Sequence, residues 1–172
     1  AVQLLWLNLV TNGLQDVALA FEAGEPGVLS RPPRPPRQPL FDRRMVEQTV
    51  LSGAYIGAVS FGVFYWLMVH SGWSEQAARN VLLLIMVLFE NAHVFNCRSE
   101  RRSAFRVPLR ANRLLIGTVI AAQGIHIVAM YTPGLSTILG LQPVSFSTWL
   151  AMVGTAFSLV AGRAALAAGK LK

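Results

Sequence analysis

Hydrophobic residues in this chain arrive in blocks. Five stretches, Val2–Phe21, Val46–Val69, Gln76–Phe95, Leu114–Tyr131 and Thr148–Ala168, are long and apolar enough to cross a bilayer, since about 20 residues of helix span about 30 Å of hydrocarbon. The pattern predicts an all-α integral membrane bundle of five transmembrane helices. The first block breaks the pattern. In NLVTNGLQD, residues 8 to 16, it carries two Asn, a Thr, a Gly, a Gln and an Asp. Helical spacing puts Asn8, Asn12 and Asp16 on one stripe, with Thr11 and Gln15 beside them. Gly13 lowers the cost of unwinding, and an unwound turn here would aim backbone carbonyls at the same place.

The connections are as distinctive as the blocks. Residues 23–45 form a Pro/Arg-rich loop with six prolines between Pro26 and Pro39, which rules out a helix through its middle. It reads either as a stiff polyproline spacer or as a docking strap for a cytoplasmic domain. Residues 97–113 form a second basic loop. The hairpin SGWSEQ is very short, and TPGLSTILGLQPVSFS, uncharged throughout, is expected to lie re-entrant or flat at the outer surface. Gly53, Gly57 and Gly62 give the second block a small-residue face suited to close helix approach. Tyr65, Trp66 and Trp73 are expected to form an outer aromatic belt.

Composition agrees with the pattern: 53% of the 172 residues are hydrophobic and 13% charged, with a mean hydropathy of +0.48. The net charge of +7 raises the question of nucleic acid, and the placement of the basic residues excludes it. Arg31, Arg34, Arg37, Arg43 and Arg44 follow the first block, Arg98, Arg101, Arg102, Arg106, Arg110 and Arg113 follow the third, and Arg163, Lys170 and Lys172 close the chain; only Arg79 lies on the opposite side. The positive-inside rule then places those loops and the C-terminus in the cytoplasm and the N-terminus outside. The lipid bilayer is the primary partner, with anionic lipid a secondary one. An outward N-terminus without a signal sequence leads us to expect further chain before residue 1. Cys97, the single cysteine, has no internal disulfide partner and lies on the reducing side.

Ionisable groups at membrane depth cost roughly 2.5–3.5 kcal/mol on insertion scales and so require a partner or a role. The stripe in the first block qualifies, and so does Glu90 in the third, followed by Asn91, His93 and Asn96. Carboxylates, amides, hydroxyls and carbonyls are the ligands of hard cations such as calcium. Interhelical hydrogen-bond glue is the alternative, at about 0.6 kcal/mol per contact, and Glu90 could pair with His93 or a snorkelling arginine. His93 and His126 read as satisfied packing residues and His70 as interfacial.

Taken in order, QLLWLNLVTNGLQDVALAFE, SRPPR, FENAHVFNCRSERRSAF and HIVAMYTPGLSTILGLQPVSFSTWL resemble the C-terminal membrane region of type II P-type cation ATPases, the calcium-pump-like branch. The resemblance covers nearly the whole chain. It implies that the five spans correspond to the sixth to tenth helices of a ten-helix pump. In that family the sixth helix carries an N-x-x-T-D motif that binds the ion, so Asn8 and Thr11 carry over as ligands, and Asn12 stands where the aspartate would be. Asp16, one turn on, is then a displaced carboxylate. Glu90 matches an eighth-helix glutamate, and His93 falls where an asparagine would be. Arg31, Pro32, Pro33 and Arg34 match the family strap that approaches the phosphorylation domain, which favours docking over spacing. The candidate cation ligands are thus Asn8, Thr11, Asn12, Asp16 and Glu90.

The same resemblance limits the chain. It contains no D-K-T-G phosphorylation motif and no T-G-E loop, so ATP hydrolysis is not expected from these residues alone, and ATP and Mg would belong to the rest of a full pump. The partners implied are the catalytic domains and N-terminal helices of that pump, in the inner membrane of a bacterium. Calcium is the first cation to consider, with sodium, protons, potassium and manganese behind it because Asn12 replaces the aspartate. The rival readings are a stand-alone, non-catalytic membrane scaffold that reuses the fold to pack against another complex, and, more remotely, a small secondary carrier.

Overall fold

A computed structural model describes residues 2–24, 41–99 and 102–169, together with positions 27, 30, 32, 33, 35 and 39 of the Pro/Arg-rich loop; side chains are described as far as residue 165. Arg31, Arg34 and Arg37 of the strap lie outside the described residues. Among the described residues the chain is helical, with no strand.

The first helical run is made of three pieces: α1 (Val2–Trp6), a π-helical segment (Leu7–Asn12) and α2 (Gly13–Leu19). Four longer or shorter helices and a long last one follow, α3 (Arg43–Val69), α4 (Glu75–Cys97), α5 (Arg113–Tyr131), the short α6 (Leu135–Leu139) and α7 (Phe146–Gly169). Each long helix starts where its sequence offers a cap. Asp42 accepts from the Met45 N–H at 2.7 Å, Ser74 from Ala77 at 3.3 Å and Asn112 from Leu115 at 2.9 Å. Among the described residues α3, α4 and α5 are long and apolar enough to cross a membrane.

The bundle is organised around α4, whose most apolar stretch is 67% buried, against 11% for α3 and 28% for α5. It packs most extensively against α7 and α3, and on its other side meets the π-helical segment and α5. Val81, Leu84, Ile85, Val87 and Phe89 are fully buried along it. Leu5, Leu9, Val17, Val50, Phe61 and Val128 point away from the core, as lipid-facing side chains of a membrane bundle do.

Two sequence expectations are refined here. Gly53, Gly57 and Gly62 have nothing within 4 Å of a Cβ built on them, so no neighbour approaches α3 closely at the glycines. Of the small residues on this helix, Ser52 and Ser60 are the buried ones. Of the two arrangements open to the α5–α7 connection, re-entrant or flat, the structure has the first. It folds back onto the bundle through α6, which is bracketed by Gly134 and Gly140 at φ 88° and 64°, backbone that side chains disfavour. Leu139 and Leu141 enter the main core. Asn80 of α4 holds the connection like a backbone strand, donating to the Gln142 carbonyl at 2.8 Å and accepting from its N–H at 3.1 Å. Tyr65 and Trp66 are exposed at the end of α3, where Trp66 stacks on His70 with ring centroids 4.6 Å apart.

Candidate cation site

The polar stretch of the first block is not unwound; it widens into a π-turn, in which the Gly13 N–H reaches back to the Asn8 carbonyl. A full turn keeps its backbone hydrogen bonds, which is cheaper at membrane depth than freeing them. Gly13 permits the turn because a Cβ there would sit 3.3 Å from the Asn8 carbonyl oxygen. Such turns are uncommon and concentrate at functional positions.

The turn sorts the polar side chains onto two sides. Leu7, Val10, Thr11, Gln15 and Ala18 form the buried side, facing α4 and α5. There the Thr11 hydroxyl lies against both the Leu7 carbonyl and Oε2 of Glu90. The structure thus brings Thr11 and Glu90 together, and the described partner of Glu90 is Thr11 rather than His93. Three oxygens converge there, a hydroxyl, a backbone carbonyl and a carboxyl, the types that hard cations bind. Asn8 and Asp16 are exposed and Asn12 is half-buried; the amide of Asn12 donates to Asn8 Oδ1 at 3.1 Å. No other described residue covers that stripe. Asp16 still lies within electrostatic reach of Glu90.

Gln15 and Asn91 were legible in the sequence as neighbours of the site, but their pairing was not, nor was the part played by Gln123. Gln15 donates to Asn91 Oδ1 at 2.5 Å, and Asn91 donates to Gln123 Oε1 at 3.2 Å. This amide ladder joins α2, α4 and α5 immediately beside Thr11 and Glu90. A lone Gln in the apolar run AAQGIHIV was the available signal, because an amide in a membrane helix needs a partner. Trp6, just before the π-turn, donates to Nδ1 of the fully buried His126 at 3.2 Å. His93 and His126 both depart from the expectation of satisfied packing residues, since the buried Nδ1 of His93 and Nε2 of His126 have no hydrogen-bond partner among the described residues.

Below this layer a second cluster, also missed from sequence, ties the same helices together. Arg98 at the end of α4 grips Glu22 with two hydrogen bonds of 2.9 and 2.7 Å and donates to the Val107 and Pro108 carbonyls at 3.4 and 2.9 Å. Asn112 donates to the Ala18 carbonyl at 2.8 Å and to Glu22 at 3.0 Å. Burial alone would raise the Glu22 carboxyl, but the hydrogen bonds from Arg98 and Asn112 and the guanidinium charge outweigh it and hold the group below its ordinary value. The exit of the polar helix is thus fixed to α4 and α5 beneath the candidate site.

The family described as "Cation transporting ATPase, C-terminus" matches residues 1–166. The chain belongs to this family. Among curated cation-ATPase relatives, the "Probable cation-transporting ATPase F" of Mycobacterium tuberculosis is 33% identical over 160 residues, covering 92% of this chain and 18% of that protein. The "Calcium-transporting ATPase" of Bacillus subtilis is 31% identical over 153 residues, 89% of this chain and 17% of that protein. The "Endoplasmic reticulum calcium ATPase srcA" of Aspergillus fumigatus is 28% identical over 190 residues, 93% and 20% respectively. The chain spans about a fifth of the length of the relatives it matches. It is the C-terminal membrane region of a P-type cation ATPase, helical and strand-free among the described residues.

Proposed function

We propose that this chain forms one wall of the cation path of an ATP-driven pump, with Thr11 and Glu90 at its centre. The observation that carries the reading is the π-turn that sets the Thr11 hydroxyl between the Leu7 carbonyl and the carboxyl of Glu90 on the facing helix. A widened turn, a hydroxyl and a carboxylate in mid-membrane cost stability unless used. Asn8, Asn12 and Asp16 supply further oxygens from the uncovered stripe, and helices contributed by the rest of the pump complete the coordination. Calcium is the first cation to test, given the hard-oxygen donor set and two relatives named as calcium ATPases. The amide ladder holds α2, α4 and α5 in register around the site. ATP and Mg act on the parts of the pump beyond this region, and phosphorylation there drives the helix movements that open the path to alternate sides.

The test is cation-dependent phosphorylation of the native full-length polypeptide from ATP, titrated separately with calcium, manganese and sodium. Glu90→Gln and Thr11→Val should each raise the half-saturating concentration of the activating cation by about tenfold or more, the equivalent of roughly 1.4 kcal/mol of lost binding. Asp16→Asn should give a smaller shift in the same direction. An unchanged cation dependence in both Glu90→Gln and Thr11→Val, with phosphorylation intact, overturns the assignment.

A further inference from the structure

The loop between α4 and α5 is held in place on one side and charged on the other. Its inner side is anchored at four points. Ala104 packs against the main core, the Val107 and Pro108 carbonyls accept from the buried Arg98, and Asn112 reaches the Ala18 carbonyl of α2. Two short 3-10 turns, Ala104–Arg106 and Leu109–Ala111, shape the path between the anchors.

Everything bulky between the anchors points the other way. Arg102, Arg106, Arg110 and Arg113 are exposed, residues 102–113 contain no acidic side chain, and none of the four guanidiniums is ion-paired among the described residues. Arg98, a few residues earlier, is in contrast fully engaged with Glu22. Interleaved with the free arginines are Phe105 at 69% exposure and Leu109 at 55%. The loop also joins two helices that are long and apolar enough to cross a membrane, which sets it at the depth where headgroups begin.

We infer that this loop is a docking platform for anionic phospholipid headgroups of the cytoplasmic leaflet. The inference rests on reading the loop as cytoplasmic, not on the cation site. Guanidinium groups bind phosphodiesters through paired N–H donors, and Phe105 and Leu109 fit the boundary between headgroups and acyl chains. A preformed platform binds better than a flexible basic tail because its ordering cost is already met by the anchors. Its position beside Arg98 and Asn112 puts bound lipid next to the clamp that fixes α2.

The experiment uses the native full-length polypeptide in lipid nanodiscs, with phosphatidylglycerol retention measured against phosphatidylcholine by native mass spectrometry. Arg106→Gln with Arg110→Gln should weaken phosphatidylglycerol retention by about five-fold for each arginine removed. Raised salt should shrink the difference, and phosphatidylcholine retention should not change. Arg79→Gln, at the other end of α4, is the control and should behave as wild type. Equal phosphatidylglycerol retention in wild type and the double variant overturns the proposal. So does a double variant whose ATPase activity falls equally with and without phosphatidylglycerol while lipid retention is unchanged, which would assign the platform to a protein surface. Both results are independent of whether Glu90 binds a cation.

Discussion

Replacing Arg98 with alanine removes four hydrogen bonds at once, two to Glu22 and two to the carbonyls of residues 107 and 108. The guanidinium is 1% exposed and the Glu22 carboxylate 11%, so the substitution leaves a charge with little water and only Asn112 as a partner. Removing one member of a buried pair costs about 3–5 kcal/mol. The remaining Asn112 bond and the residual exposure of Glu22 place this case toward the lower end, at about 3 kcal/mol. Arg98→Met combined with Glu22→Leu removes both charges and should cost only about 1 kcal/mol, since a buried pair replaced by apolar groups is often near neutral. The assay is unfolding in mixed detergent micelles followed by helicity, on the wild type, both singles and the double. A double variant as unstable as the sum of its singles refutes the reasoning, because it would mean that the charges act separately and no clamp exists.

The same pair sets a pH dependence: with its carboxyl held below the ordinary value in the folded protein, Glu22 adds stability above the unfolded carboxylate range and loses it as pH falls through the folded value. Acid unfolding followed from pH 6 downward should therefore start at higher pH in Glu22→Gln. Gly13→Ala gains helix propensity of about 1 kcal/mol but sets a Cβ 3.3 Å from a backbone oxygen that cannot easily yield. The expected outcome is near-unchanged thermal stability with weakened cation activation of phosphorylation. Gln15→Leu strips a donor from the buried Asn91 and should destabilise by about 1–3 kcal/mol, readable in the same detergent titration; a loss below about 0.5 kcal/mol would show that the amide ladder is not a structural tie.

The sequence determined the class of this protein through hydropathy, because a membrane helix must satisfy its own backbone and present apolar side chains all round. Asp42, Ser74 and Asn112 were available to cap α3, α4 and α5 wherever those blocks began. The polar stripe of residues 8 to 16 and Glu90 were legible for the same energetic reason, as groups too costly to carry without a use. What periodicity could not decide was which side of the stripe faces α4. The π-turn changes the angular spacing of residues 7 to 12, and with α4 and α5 packed against it Thr11 and Gln15 are buried while Asn8 and Asp16 stay out. The pairings of Arg98 with Glu22 and of Gln123 with Asn91 bring together residues 76 and 32 positions apart, and no local pattern encodes such distances. Helix formation is a local property of the chain; the partner a buried polar group finds is set by packing, and only the tertiary structure decided it.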